Sequence, residues 1–245
     1  LIDASPSPFH ACAEAARRLE AAGFTAVDER SAWPTGPGRH YVVRGGSLVA
    51  WAVGEHHQPT SGFRIVGAHT DSPNLRIKPQ PDLHSAGFAQ LAVEVYGGAL
   101  LNSWLDRDLG LSGRVLVRGA AGPEPQLLLV AEPIARIPQL AIHLDREVTS
   151  KGLVVNPQQH LRPVWGSGAP EPGGFRAYVA ELLDVAAEDV LAWDLMLHDL
   201  VPSTIVGADA SLLSAPRLDN LCSSWAAVEA LAAVATDDGA EPGPI

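Results

Sequence analysis

The stretch GAHTDSPNLRIKPQP, residues 67 to 81, follows the apolar run FRIV at residues 63 to 66. That run reads as a short strand, and the polar residues stand where it ends. In open α/β sheets, ligands bind outside the carboxyl ends of strands. His69 is placed there, with Asp71 two residues on and Pro73 stiffening the turn. Neutral imidazole is a good zinc ligand. A metal-bound histidine usually gives its other ring N–H to a carboxylate, a role open to Asp71. An isolated H-x-D triplet is nevertheless more often a capped polar turn than a metal site. The decision therefore rests on what surrounds it.

Upstream, SPSPFHACAEAARRLEAAGF (residues 5 to 24) predicts a helix. Ser7 caps it, Pro8 suits its first turn, and Gly23 stops it. HYVVRGGSLVAWAVG (40 to 54) predicts a hairpin around Gly45-Gly46. Downstream, FAQLAVEVYGG, GRVLVRG and PQLLLVAEP read as strands separated by Gly and Pro turns. Residues 150 to 175, rich in Gly, Pro and Gln, read as a long loop. RAYVAELLDVAAEDVLAWDLMLHDL contains a helix followed by a strand. LCSSWAAVEALAAVA (221 to 235) predicts a second strong helix, with Leu221, Trp225, Val228 and Ala232 as its buried stripe.

The chain thus changes from α/β to β-rich and back. The expected fold class is α/β, with an α/β domain interrupted by an inserted β-rich domain. The expected boundaries are 1–84 and 206–245 for the α/β part and 85–205 for the insertion.

Composition narrows the function. The 245 residues carry a net charge of −11, which disfavours a nucleic-acid backbone or an anionic membrane as the main partner. No run of apolar residues is long enough to span a bilayer. LIDASPSPFH lacks the pattern of a secretory signal. Cys12 and Cys222 read as thiols of a reducing cytoplasm, so the expected location is cytoplasmic.

A second polar turn supports the first. APRLDN (215 to 220) puts Asp219 and Asn220 just before the second helix. Either residue would serve as an N-cap. The other reading of Asp219 is a carboxylate bridging two metals, as in two-metal hydrolases. Several other clusters read blandly. His56-His57 is an exposed loop, Asp106-Arg107-Asp108 an ion network in a turn, and Arg76 and Lys78 a solvated strand face. Ser72 lies outside any G-x-S-x-G context, so a serine hydrolase is a poor fit.

Four blocks in order, GAHTDSPNLRIKP, SWLDRDLGLSGRV, RIPQLAIHLDREV and APRLDNL, resemble the aspartyl aminopeptidase family, the M18 dinuclear zinc exopeptidases. The resemblance spans nearly the whole chain and implies that the α/β part is a metallo-exopeptidase-like catalytic domain. It implies a zinc aminopeptidase that removes N-terminal, acidic residues from peptides, with two zinc ions per complete site. It implies that His69 is a ligand of one zinc, that Asp71 orients His69, and that Asp219 bridges both ions. His143, in LAIHL, matches a histidine of the β-rich dimerisation domain that contacts substrate in the neighbouring subunit's site. The implied assembly is a homo-oligomer, built from dimers and up to a dodecamer.

The family's adjacent Glu pair, a further Asp and a late His, which supply the general base and remaining ligands, have no match here. The acids after Asp219 are Glu229, Asp237, Asp238 and Glu241, none in the glutamate motif. The expectation is therefore a fragment of such an enzyme, inactive by itself. The alternative is a non-catalytic module whose insertion drives assembly.

Overall fold

The computed structural model describes residues 1–58, 60 and 62–236. Asp237, Asp238 and Glu241 lie outside them. The chain divides into two compact units, Leu1–Ser72 with Pro202–Ile245, and Pro73–Val201.

The first unit opens with α1, Pro8–Ala21, capped by the Ser7 side chain, which accepts from the His10 N–H. Phe9, Cys12 and Leu19 fill its inner face. At its end the Phe24 N–H donates to the Leu19 carbonyl and the Gly23 N–H to the Glu20 carbonyl. This six-to-one, five-to-two pair is the Schellman closure, and it needs the positive φ (+84°) that Gly23 adopts. The hairpin follows as β2, Gly38–Arg44, and β3, Ser47–Val53, turning at Gly45-Gly46. The two-residue β1, Thr25–Ala26, pairs with β2 in parallel. Leu19, Phe24 and Tyr41 form a small core between α1 and this sheet.

The expected strand at 63 to 66 does not form. Residues 62 to 73 carry no regular secondary structure and join no sheet among the described residues. Phe63, Ile65 and Val66 are 76%, 87% and 77% exposed. A strand exists only by pairing with neighbours, and local β-propensity does not supply one.

The last helix, α4, covers Leu218–Thr236 with non-helical backbone at Asp219 and Asn220. Leu221 is fully buried, and Val228 packs on the small core together with Leu231. Trp225, expected in the buried stripe, is 48% exposed, so the inward face passes through Leu231 instead. Just before α4 lies a two-stranded ladder of β10, Thr204–Val206, and β11, Leu212–Ser214. No helix among the described residues is long and apolar enough to cross a membrane.

The second unit is a closed six-stranded barrel. Its strands are β4 (Asn74–Ser85), β5 (Phe88–Tyr96), β6 (Asp108–Gly119), β7 (Gly122–Arg136), β8 (Val164–Ser167) and β9 (Val190–Asp199). They run in the order β4-β5-β8-β7-β6-β9, and every pair is antiparallel. Alternate residues point inward: Leu75 and Ile77, Leu91 and Val93, Leu109 and Leu111, Leu195 and Leu197. The helix α3, Gly174–Leu182, adds Phe175 and Val179 to that core. Its Phe175 N–H is capped by the Asp82 carboxylate at 3.0 Å. Closure removes the free edges that an open sheet would expose. Backbones also come close across the barrel wall, where a Cβ on Gly113 would lie 2.2 Å from the Asp194 carbonyl oxygen.

Three expectations change here. The units divide at 72/73 and 201/202 rather than at 84/85 and 205/206, because residues 74 to 85 belong to the barrel strand β4. The segment from 150 to 175 is not all loop. It contains α2's last residues (Val148–Lys151) and β8, which joins β5 to β7. Nor is the Arg76 and Lys78 face simply solvated. Arg76 pairs with Asp194 at 3.3 Å and lies 4.3 Å over the Tyr96 ring, while Lys78 pairs with Glu94 at 3.1 Å.

Candidate metal centre

Within the first unit, His69 and Asp219 meet. The His69 Nε2 stands 3.4 Å from the Asp219 Oδ1. Two ligands bound at about 2.0–2.1 Å and separated by a tetrahedral angle lie about 3.4 Å apart. The gap therefore matches two donors of one tetrahedral zinc. It is also longer than a good N–H···O hydrogen bond.

The other ring nitrogen sets the tautomer. His69 Nδ1 lies 2.9 Å from the Asp71 carbonyl oxygen and 3.4 Å from its carboxylate. A carbonyl only accepts, so Nδ1 donates, and in the neutral ring the Nε2 lone pair then faces Asp219. Asp71 thus orients the ring, but its backbone is the nearer partner, not the carboxylate the sequence reading expected. That detail depends on the turn's φ/ψ, which an H-x-D pattern does not specify.

Hydroxyl groups tie the two segments together. The Ser72 hydroxyl donates to the Asp219 carbonyl at 3.2 Å, and the Ser224 hydroxyl donates to the His69 carbonyl at 3.0 Å. Thr70 donates to the Gly46 carbonyl at 2.7 Å, fixing the same turn to the β2–β3 hairpin. Behind it, Cys12 is buried, which pushes its thiol up to about 11 despite a hydrogen bond with Thr70. Both cysteines are free thiols.

The side on which His69 Nε2 and the Asp219 carboxylate meet is open. The His69 and Asp219 side chains are 54% and 91% exposed. Among the described residues no group of three or more His, Cys, Asp or Glu side chains is placed to hold a metal. Glu229, on α4, is committed elsewhere, in an ion pair with Arg18 at 2.5 Å. His143 belongs to the second unit, on an exposed turn between β7 and α2. Of the four expected site residues, His69, Asp71 and Asp219 come together in the first unit, and His143 belongs to the second. Sequence reasoning passed over Ser224 and dismissed Ser72, because a hydroxyl that grips a backbone carbonyl 147 or 155 residues away leaves no local pattern.

The model of the family described as aminopeptidase I zinc metalloprotease (M18) matches residues 1–243. The chain belongs to the M18 family. It is 55% identical over 240 residues to a probable M18 family aminopeptidase 2 of Mycobacterium leprae, covering 97% of this chain and 56% of that one. The chain thus spans about half the length of the curated relatives it matches. Among solved structures, Chaetomium thermophilum mApe1 superposes with a TM-score of 0.85 at 30% identity, covering 94% of this chain and 56% of that one. The S. cerevisiae mApe1 dodecamer gives 0.79 at 29% identity, with 96% and 55% covered. The fold is therefore that of M18 aminopeptidases.

Proposed function

We propose that this chain forms part of a zinc-dependent aminopeptidase that removes N-terminal acidic residues from peptides. The observation that carries the reading is the 3.4 Å approach of His69 Nε2 to Asp219 Oδ1, with the Nδ1 proton held on the far side of the ring. Membership of a zinc metalloprotease family supports it. In the complete site His69 and Asp219 would be among the residues that hold zinc, with Asp219 in the place of a carboxylate shared between ions. Asp71 holds the Nδ1 proton and so keeps the Nε2 lone pair available. Zinc, when bound, supplies Lewis-acid polarisation of the peptide carbonyl. The relatives are nearly twice as long, so the activity is proposed for a chain of their length.

His143 is proposed to contact substrate in a neighbouring subunit, within a dimer-based homo-oligomer. Its place on an exposed turn, and a dodecameric relative, support this. The proposed location is cytoplasmic, supported by two cysteines that remain free thiols. Peptides rather than nucleic acids or membranes are the proposed partners, in line with a net charge of −11.

One observation favours a second reading, a non-catalytic assembly module. With only two candidate ligands converging among the described residues, the barrel and its exposed turn bearing Leu140, Ile142 and Leu144 would be what this chain contributes. Zinc content separates the two. Equilibrium dialysis of a relative-length chain should show bound zinc that His69→Ala and Asp219→Ala each reduce. Undiminished zinc and peptidase activity in both variants would refute the metal reading.

A further inference from the structure

We propose that Ser72 and Ser224 are positioning residues that set the spacing between His69 and Asp219. The inference rests on the metal reading above. Each serine lies on the segment of one ligand and grips the backbone of the other. Ser72 follows His69 and donates to the Asp219 carbonyl, whereas Ser224 follows Asp219 on α4 and donates to the His69 carbonyl. Two hydrogen bonds therefore cross one junction in opposite directions.

The backbone makes this possible. Asp219 has ψ of 109° and Asn220 is also non-helical, so the Asp219 carbonyl departs from the direction of the α4 ladder and is turned toward Ser72. Ser72 itself is only 8% exposed, which shields its bond from competing water.

Packing does not hold the ligands. Their side chains are 54% and 91% exposed, so burial does little to fix them. What remains to bring the two donors to 3.4 Å is the placement of their main chains. The two serines fix that placement on both sides, and Thr70 and Gly46 anchor the His69 turn from behind. Residues that orient metal ligands without touching the metal shape affinity in this manner.

Cobalt(II) titration of a chain of the relatives' length, followed by visible absorption, tests the assignment. The variants are Ser72→Ala, Ser224→Ala, both together, Ser224→Thr and His69→Ala, each with a urea midpoint measured alongside. Each alanine should weaken cobalt binding about two- to tenfold, the net worth of one hydrogen bond, and the double variant should weaken it further. Ser224→Thr keeps the hydroxyl and should restore binding. Because Ser224 lies at the helix surface, its replacement leaves the core intact even if Ser72→Ala unfolds. Alanine variants with lowered urea midpoints but unchanged cobalt affinity, beside a His69→Ala variant that lowers binding, would show a merely structural role and overturn the inference. An unaltered chain that binds cobalt no better than His69→Ala would overturn the metal reading and this inference with it.

Discussion

Replacing Glu14 by Gln should destabilise the first unit in a pH-dependent way. Glu14 sits on α1 with its side chain only 11% exposed. Its Oε2 accepts from Arg17 at 2.7 Å and its Oε1 from Arg18 at 2.8 Å. Arg18 reaches on to Glu229 at 2.5 Å, so this carboxylate sits at the hub of the α1–α4 junction, and α4 presents Asp219. The hydrogen bond from Arg17, joined by that from Arg18, outweighs burial and holds the Glu14 carboxyl down at about 2 from an ordinary 4.5. A depressed carboxylate contributes stability that is fully present above about 4.5 and is lost as pH falls through about 2. The gap corresponds to at most about 3.4 kcal/mol. Arg17 is 65% exposed, so solvent screening reduces the realistic figure to about 1–2 kcal/mol. At pH 3 about two-fifths of it should remain. Urea unfolding of both proteins at pH 3, 4, 5 and 6 measures the difference. The wild-type advantage should be level at pH 5 to 6 and shrink toward pH 3. An advantage that stays constant across that range, or grows on acidification, would refute the assignment of Glu14 as a charged hub.

Other consequences are directly measurable. Gly113→Ala should destabilise the barrel by several kcal/mol, about 3 or more by analogy with strained or overpacked sites, since a Cβ there meets the Asp194 carbonyl at 2.2 Å with φ at +147°; a urea midpoint within error of wild type would contradict this. A thiol reagent at pH 8 should label exposed Cys222 promptly and leave Cys12, buried and raised to about 11, unmodified until the chain unfolds; mass spectrometry of peptides reads the order. His143→Ala in a chain of the relatives' length should lower turnover while zinc content stays level, and unchanged turnover would remove His143 from the site. The 245-residue chain loaded with zinc should release no N-terminal aspartate or glutamate from peptides, because only two candidate ligands converge among the described residues and a catalytic zinc takes three; turnover matching that of a relative-length chain would refute this.

What could be read from the sequence was what is decided locally. Ser7, Pro8 and Gly23 bound α1 because caps and stops act within a turn of helix. Gly45-Gly46 marks the hairpin because a two-residue turn needs residues that tolerate its backbone. Elements that depend on distant partners were not legible. FRIV has the composition of a strand and no strand beside it, so it remains outside the sheets. The four-residue β8 is too short, with Gly166 inside it, for Val164 and Trp165 to mark it as a strand, and it exists because β5 and β7 flank it. Spacing from Leu221 places Trp225 inward, yet Trp225 is 48% exposed, because the small core that α4 covers lies against Val228 and Leu231 and spacing does not reveal where that core sits.

The site follows the same division, and the barrel explains why its halves meet. His69 and Asp219 are separated by the whole of the second unit, Pro73–Val201. That insertion is tolerable because a closed barrel satisfies its own backbone hydrogen bonds and buries its own core. It makes no demand for strands from the first unit. The chain can therefore leave just after Ser72 and return at Pro202 without disturbing the junction that Ser72 and Ser224 secure. Two ligand segments far apart in sequence are then held as one local structure, while the open face above them leaves room for further ligands. A metal pair needs those further ligands. Glu229, the nearest acid along α4, is neutralised by Arg18 and does not serve. On the proposed metal reading, further donors would approach His69 and Asp219 from the exposed side of that pair.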